Sequence, residues 1–179
     1  MSTETHEDRP AYALQADGTL ALNGAGIALE TRYQKARIGH QALQASWTGA
    51  FLARIFMKHA WLDAVTLSFA VSMEYDDSGG FYRYVSCRAE ATRAVPQQAL
   101  PQEQFPDGEF DANAAERIVE DEIEDGKCDL HASLCGTPGG SDGLDVMLER
   151  SAVAALLATA PIDGHAAFEA WKLAPAADT

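Results

Sequence analysis

Cys128, His131 and Cys135 stand in the spacing C-x2-H-x3-C, and thiolate and imidazole donors this close together are what a zinc site uses. The segment 127–135 (KCDLHASLC) alternates, however, and the alternation predicts a strand. In a strand, residues three apart point to opposite faces, so Cys128 and His131 cannot close on one ion. A fourth ligand would have to come from Cys87, His165 or a carboxylate. The expectation is two ordinary cysteines, a surface histidine and no metal.

The segment Asp76-Asp77-Ser78-Gly79-Gly80 is rich in oxygen, but it lacks the D-x-[DN]-x-[DN]-G frame and distant glutamate of a calcium loop. It reads as a hairpin turn. The run GTPGGSDG at 136–143 has the glycines of a phosphate cradle without the Lys-Ser/Thr that should follow, and reads as a loop. There is no G-x-S-x-G elbow, and no cysteine sits in an activated setting. His40 and His59 read as core or surface histidines. Among 27 acids some pair always resembles an acid–base couple, so none is diagnostic. No catalytic residue and no cofactor is assigned.

The strongest remaining signal is charge. Residues 103–126 hold ten carboxylates against Arg117 alone, a local charge of −9 within a chain of net −14. Such a field repels nucleic acid and acidic membranes and attracts basic protein surfaces. Glu109, Asp111, Glu116, Glu120, Asp121, Glu124 and Asp125 are the candidate partner-binding residues. Residues 31–61 show the opposite pattern, with Arg32, Lys35, Arg37, Arg54 and Lys58 and no acid. The two segments either offset each other or form separate surfaces.

The elements that position these groups follow from periodicity. Residues 12–22 alternate around Asp17-Gly18, predicting a small hairpin. A helix is expected over 28–61, with Leu43, Trp47, Phe51 and Ile55 on its apolar face, Ala36, Ala50 and Phe56 alongside them, and Gly39 and Gly49 as points of kinking or breakage. Val65, Leu67, Phe69, Val71, Met73 and Tyr75 alternate with small and polar residues, and 81–91 returns as a second strand, giving a central hairpin at 65–91. The proline-bearing stretch 94–110 reads as extended and exposed. Asp111 or Asn113 caps a helix at 113–125 with Ala115, Val119 and Ile123 inward, ended by Gly126. A third strand is expected at 127–135 and a helix at 144–160. Asp163 caps a short last helix carrying Phe168 and Trp171. Residues 1–10 and 174–179 read as loose tails around one domain, 11–173. The fold class is α+β, a small antiparallel sheet packed against helices.

No apolar run approaches the length of a membrane span, the N-terminus lacks a secretory pattern, and three cysteines make a poor disulfide framework. These point to a reducing cytosol.

The hairpin EYDDSGGFYRYVSC (Glu74 to Cys87) resembles hairpins in small acidic accessory proteins carried by phages, plasmids and integrative elements. Short length, strong acidity and an α+β pattern without an active-site motif are similar to anti-CRISPR and related anti-defence proteins. The resemblance implies inhibition of a host nucleic-acid-binding machine by occupying its basic surface, and it carries over no catalytic residue. Two other readings stand beside it. One is a small cofactor-independent enzyme with its site between sheet and helices. The other is an oligomeric adaptor using exposed Trp61, Tyr82 and Tyr84.

Overall fold

The computed structural model describes residues 9–135 and 143–173, so the expected C-terminal tail, most of the N-terminal one and the loop at 136–142 lie outside the described residues. The chain divides into two compact units, residues 1–43 and 44–179.

In the first unit, β1 (Tyr12–Leu14) and β2 (Leu20–Leu22) pair antiparallel, Tyr12 with Leu22, as the alternation predicts. Gly18 takes φ +84° at the turn, and the Asp17 carboxylate accepts from the Thr19 amide and hydroxyl. Helix α1 (Gly24–Lys58) begins here, four residues before its expected start. Asn23 is the reason: its side chain accepts from the Gly26 amide at 2.8 Å, the bond of a helix N-cap.

The second unit holds an antiparallel sheet in the order β4-β3-β5. Strands β3 (Leu62–Tyr75) and β4 (Phe81–Ala94) form the expected hairpin, with Phe69 opposite Cys87 and Tyr75 opposite Phe81. Asp76 closes the turn, accepting from the Ser78 hydroxyl and from the amides of Ser78 and Gly80. These bonds, the Ser78 hydroxyl foremost, hold its carboxyl below the usual range. A single oxygen, Asp76 Oδ1, accepts all three bonds of the turn.

Alternation holds on β3 through Val65, Leu67 and Phe69, all buried, and Val71, half-buried; Met73 and Tyr75 are exposed. Strand β5 pairs only with Ala64–Ala70, so the turn end of the hairpin has no third strand beside it. Phe69→Ala should therefore cost about 3–4 kcal/mol through cavity formation, whereas Met73→Ala should stay within about 0.5 kcal/mol. Equal shifts of the denaturant midpoint for the two would contradict this depth profile.

Two segments exchange roles relative to the sequence reading. Residues Lys127–Cys135, expected as a strand, form helix α3, and the third strand is β5 (Gly143–Glu149), inside the expected helix 144–160. Only Arg150–Leu157 is helical there, as α4. Both segments are short and carry apolar residues that satisfy either period. Leu130 and Leu134 are four apart and also even-spaced, and the same holds for Leu144 and Leu148. Pairing decides: Leu148 lies opposite Val65 and Val146 opposite Leu67, completing the apolar face of the sheet. Helix α5 (Gly164–Ala170) is capped by Asp163 as expected, its side chain accepting from the amides of His165 and Ala166.

Helix α1 runs unbroken through Gly39 and Gly49, and only part of its expected apolar face is buried: Ile55 and Phe56 are, Leu43 and Trp47 are not. Ala45, Leu52, Ile55 and Phe56 are buried, while Leu43 is 67% and Trp47 38% exposed. At 100° per residue, Leu43 and Trp47 lie on the side opposite Ala45, Leu52 and Phe56. The core joins this buried side to the apolar face of the sheet, to Ala115, Val119 and Ile123, and to Leu130, Val153 and Phe168. The fold is α+β with a small antiparallel sheet. No helix among the described residues is long and apolar enough to cross a membrane.

Candidate interaction surface

Helix α2 (Ala112–Ile123) presents the acids. Asp111 is its N-cap, accepting from the amides of Asn113 at 2.9 Å and Ala114 at 3.3 Å. The inner stripe Ala115, Val119 and Ile123 is buried as expected. Gly126 does not end the helical region. A 3-10 turn (Glu124–Gly126) leads directly into α3, and a side chain at Gly126 would strike the Phe51 ring.

The structure sorts the seven candidate carboxylates by what they touch. Glu120 accepts from the Ala89 amide at 3.1 Å, satisfying a donor of β4, so its first task is structural. Glu124 pairs with Lys127, which lies 5.0 Å from the centre of the Tyr84 ring. Glu116 is half-buried, and Glu109, Asp121 and Asp125 are exposed with no hydrogen bond or ion pair among the described residues.

Glu122, outside the candidate set, joins the acidic segment to the basic one by pairing with Lys58 and lying 3.4 Å from His59 Nε2. Burial alone would raise the Glu122 carboxyl, but the bonds from Lys58 and His59 outweigh it and hold it below its ordinary value. The two segments therefore offset each other at the C-terminal end of α2. They do not at its N-terminal end, where Asp107, Glu109 and Asp111 rim a concavity of about 360 Å³ that no base lines among the described residues.

That concavity owes its shape to the burial of Phe105. The stretch 94–110, expected to be exposed, sends Phe105 into the core, where Trp61 meets it edge-on at 5.0 Å. Trp61 is 1% exposed and donates from Nε1 to Gln104 Oε1 at 2.8 Å, so it is no interface aromatic. Tyr82 and Tyr84 are exposed. Phe110 stacks between this aromatic pair and the acidic rim, 5.8 Å from Phe105. Neither Phe105 nor Phe110 belongs to a periodic segment, and their sequence signal was only two aromatics within a proline-rich loop.

The thiol and imidazole groups are also rearranged. On helix α3, Cys128, His131 and Cys135 fall at i, i+3 and i+7, so the opposite-face argument of a strand does not apply to them. His131 is buried, not at the surface. Its Nδ1 lies 3.0 Å from the Arg83 guanidinium and its Nε2 3.2 Å from Cys135 Sγ. Arginine only donates, so Nδ1 accepts and the ring proton sits on Nε2. Burial, and then the charge of Arg83, lower the His131 pKa and keep the ring neutral. Burial raises the Cys135 thiol. Burial, and then Glu120, push Cys87 up to about 12, so neither thiol has the depressed pKa of a nucleophile. Among the described residues no group of three or more His, Cys, Asp or Glu side chains is placed to hold a metal ion.

His59 is 2% exposed, and its Nδ1 is buried without a partner among the described residues. His40, by contrast, is exposed on α1.

Comparison with protein-family models, with curated proteins and with solved structures finds no match for this chain.

Proposed function

We propose that this chain is an acidic interaction module that docks on a basic surface of a nucleic-acid-binding partner, as an inhibitor or accessory factor of the anti-defence kind. The observation that carries this reading is the concavity at the start of α2. Asp107, Glu109 and Asp111 form its rim, and Phe110, Ala114 and the buried Phe105 supply apolar lining. A lysine or arginine side chain has the complementary form, an aliphatic stem ending in a cation. Phe110 offers the stem or guanidinium an aromatic surface. The surrounding −9 segment supplies the long-range attraction that speeds encounter.

The structure also narrows the residues that can test the idea. Reversing Glu120 would orphan the Ala89 amide, and reversing Asp111 would remove the N-cap, so neither change is clean. Asp107 and Glu109 are exposed and make no such bonds. The double substitution Asp107→Lys with Glu109→Lys should leave the circular dichroism spectrum and the denaturant midpoint nearly unchanged. Against a partner captured from bacterial lysate at low salt, it should slow association about 10-fold and flatten its salt dependence. An unchanged on-rate at both low and high salt would show that these acids serve only solubility.

A further inference from the structure

Strand β3 runs on beyond one of its neighbours. Strand β5 pairs with it only as far as Ala70, while β4 pairs with it to Tyr75. The direction of the free backbone groups follows from the turn. The Asp76 amide donates to the Gly80 carbonyl, so Asp76 faces β4. Facing alternates along a strand, so Glu74 and Ser72 also turn their N–H and C=O groups to β4. Those of Val71, Met73 and Tyr75 point to the other side, where no strand pairs with them among the described residues.

The side chains on this edge are those of an interface. Met73, Tyr75 and Phe81 are exposed by between 62% and 66%, on the face that is buried at Val65, Leu67 and Phe69. The Tyr75 and Phe81 rings lie 4.0 Å apart, so the patch is contiguous across both strands. An edge that stays alone is defended by lysine, proline or a bulge. Residues 71–75 have none of these. Their one charge, Glu74, points to the opposite face and accepts from the Tyr82 hydroxyl at 3.0 Å. Strand β4, by contrast, is bordered by other elements. Its Ala89 amide is taken by Glu120, and Lys127 stands over Tyr84.

We propose that a second copy of the chain covers this edge, the two β3 strands pairing antiparallel about a two-fold axis at Met73. Met73 then faces its own counterpart, and Val71 faces Tyr75 in both directions, each pair exchanging two N–H···O bonds. The contact is isologous, as closed two-fold association requires. Phe81 and Tyr75 of one copy continue into Val71 and Val85 of the other, so an exposed apolar row joins a covered one. Glu74 comes opposite Ser72, a carboxylate beside a hydroxyl. The neighbouring registers are worse. An axis at Glu74 sets two carboxylates against each other, which is destabilising. An axis at Ser72 runs Tyr75 onto Phe69, whose edge β5 already occupies.

Sedimentation velocity on the full chain tests this pairing, in which neither Asp107 nor Glu109 takes part. The expected species has twice the mass of the 19.2 kDa chain. Both copies carry net charge −14, so added salt should strengthen the association by screening, the opposite of docking on a basic surface. Met73→Pro removes an amide that the chain's own hairpin does not use. It should weaken dimerisation about 10-fold or more and leave the denaturant midpoint nearly unchanged. Met73→Cys tests the register, whether or not the proline variant folds. Residues paired in this way have Cα atoms about 5.5 Å apart, within reach of a disulfide, so mild oxidation should link two chains. Ser72→Cys would lie about 7–8 Å from its counterpart and should stay at the background set by the wild type with its exposed Cys128. A wild-type chain that stays monomeric as its concentration is raised overturns the proposal. So does a dimer that a folded Met73→Pro chain still forms, or a Met73→Cys chain that links no faster than Ser72→Cys.

Discussion

Gly49→Ala should destabilise the second unit by about 3 kcal/mol or more, the upper end of overpacking costs. A Cβ at Gly49 would stand 1.9 Å from the Gly164 carbonyl oxygen and 2.6 Å from the Phe168 amide nitrogen. Both are backbone atoms of α5 and its first turn, so no side-chain rotation relieves the clash. The approach is reciprocal, since a Cβ at Gly164 would lie 2.0 Å from the Ser46 carbonyl oxygen. Two helix backbones meet here without side chains between them. Gly39 is the control: it lies on the same helix, and a Cβ there meets nothing within 4 Å. Gly39→Ala should be neutral or stabilising by up to about 1 kcal/mol, because alanine is the better helix former. Chemical denaturation of the two variants checks both signs. A Gly49→Ala protein as stable as the wild type would mean that α1 and α5 do not touch at this point.

Arg150→Met should cost about 3 kcal/mol, although it exchanges a cation for an apolar side chain of similar length. The Arg150 guanidinium donates to the carbonyls of Phe56 at 2.6 Å, His59 at 2.8 Å and Leu62 at 2.7 Å. The last carbonyls of a helix have no partner within it, and α1 ends at Lys58. Arg150 therefore caps α1 from the start of α4 and ties the entry of β3 to the same point. Without it the Phe56 and Leu62 carbonyls lose the Arg150 donor, at about 1–3 kcal/mol each before water enters, whereas His59 keeps the bond from the Leu62 amide. Arg150→Lys should recover only part of the loss, because one ammonium cannot reproduce the planar fork. Burial lowers the Arg150 pKa from its ordinary value, with the Asp63 carboxylate opposing that shift. Equal midpoints for the methionine variant and the wild type would show that water replaces the fork at no cost.

What the sequence determined by itself are the features whose cause is local. The turn at Asp76–Gly80 follows from an aspartate that satisfies amides two and four residues on, and the caps Asp111 and Asp163 follow from the same chemistry. Val65, Leu67 and Phe69 are buried because a strand long enough to show period two has only one way to bury that face. The inward stripe of α2 and the concentration of charge at 103–126 were legible for similar reasons. Only the tertiary structure decided the rest. Lys127–Cys135 and Gly143–Glu149 are too short for their periods to distinguish helix from strand, and the open edge of β3 selects the segment that pairs. On α1 the residues at 43, 47 and 51 make the richer apolar stripe. The core nevertheless takes the side with Ala45, Gly49 and Leu52, where the absence of a side chain at Gly49 lets α5 come into backbone contact. Hydrophobicity ranks the faces of a helix, but close packing selects among them by shape. The acids divided in the same way. Their number is a property of the sequence, whereas Lys58, Lys127 and the Ala89 amide, brought in from other elements, decided which of them remain open to a partner.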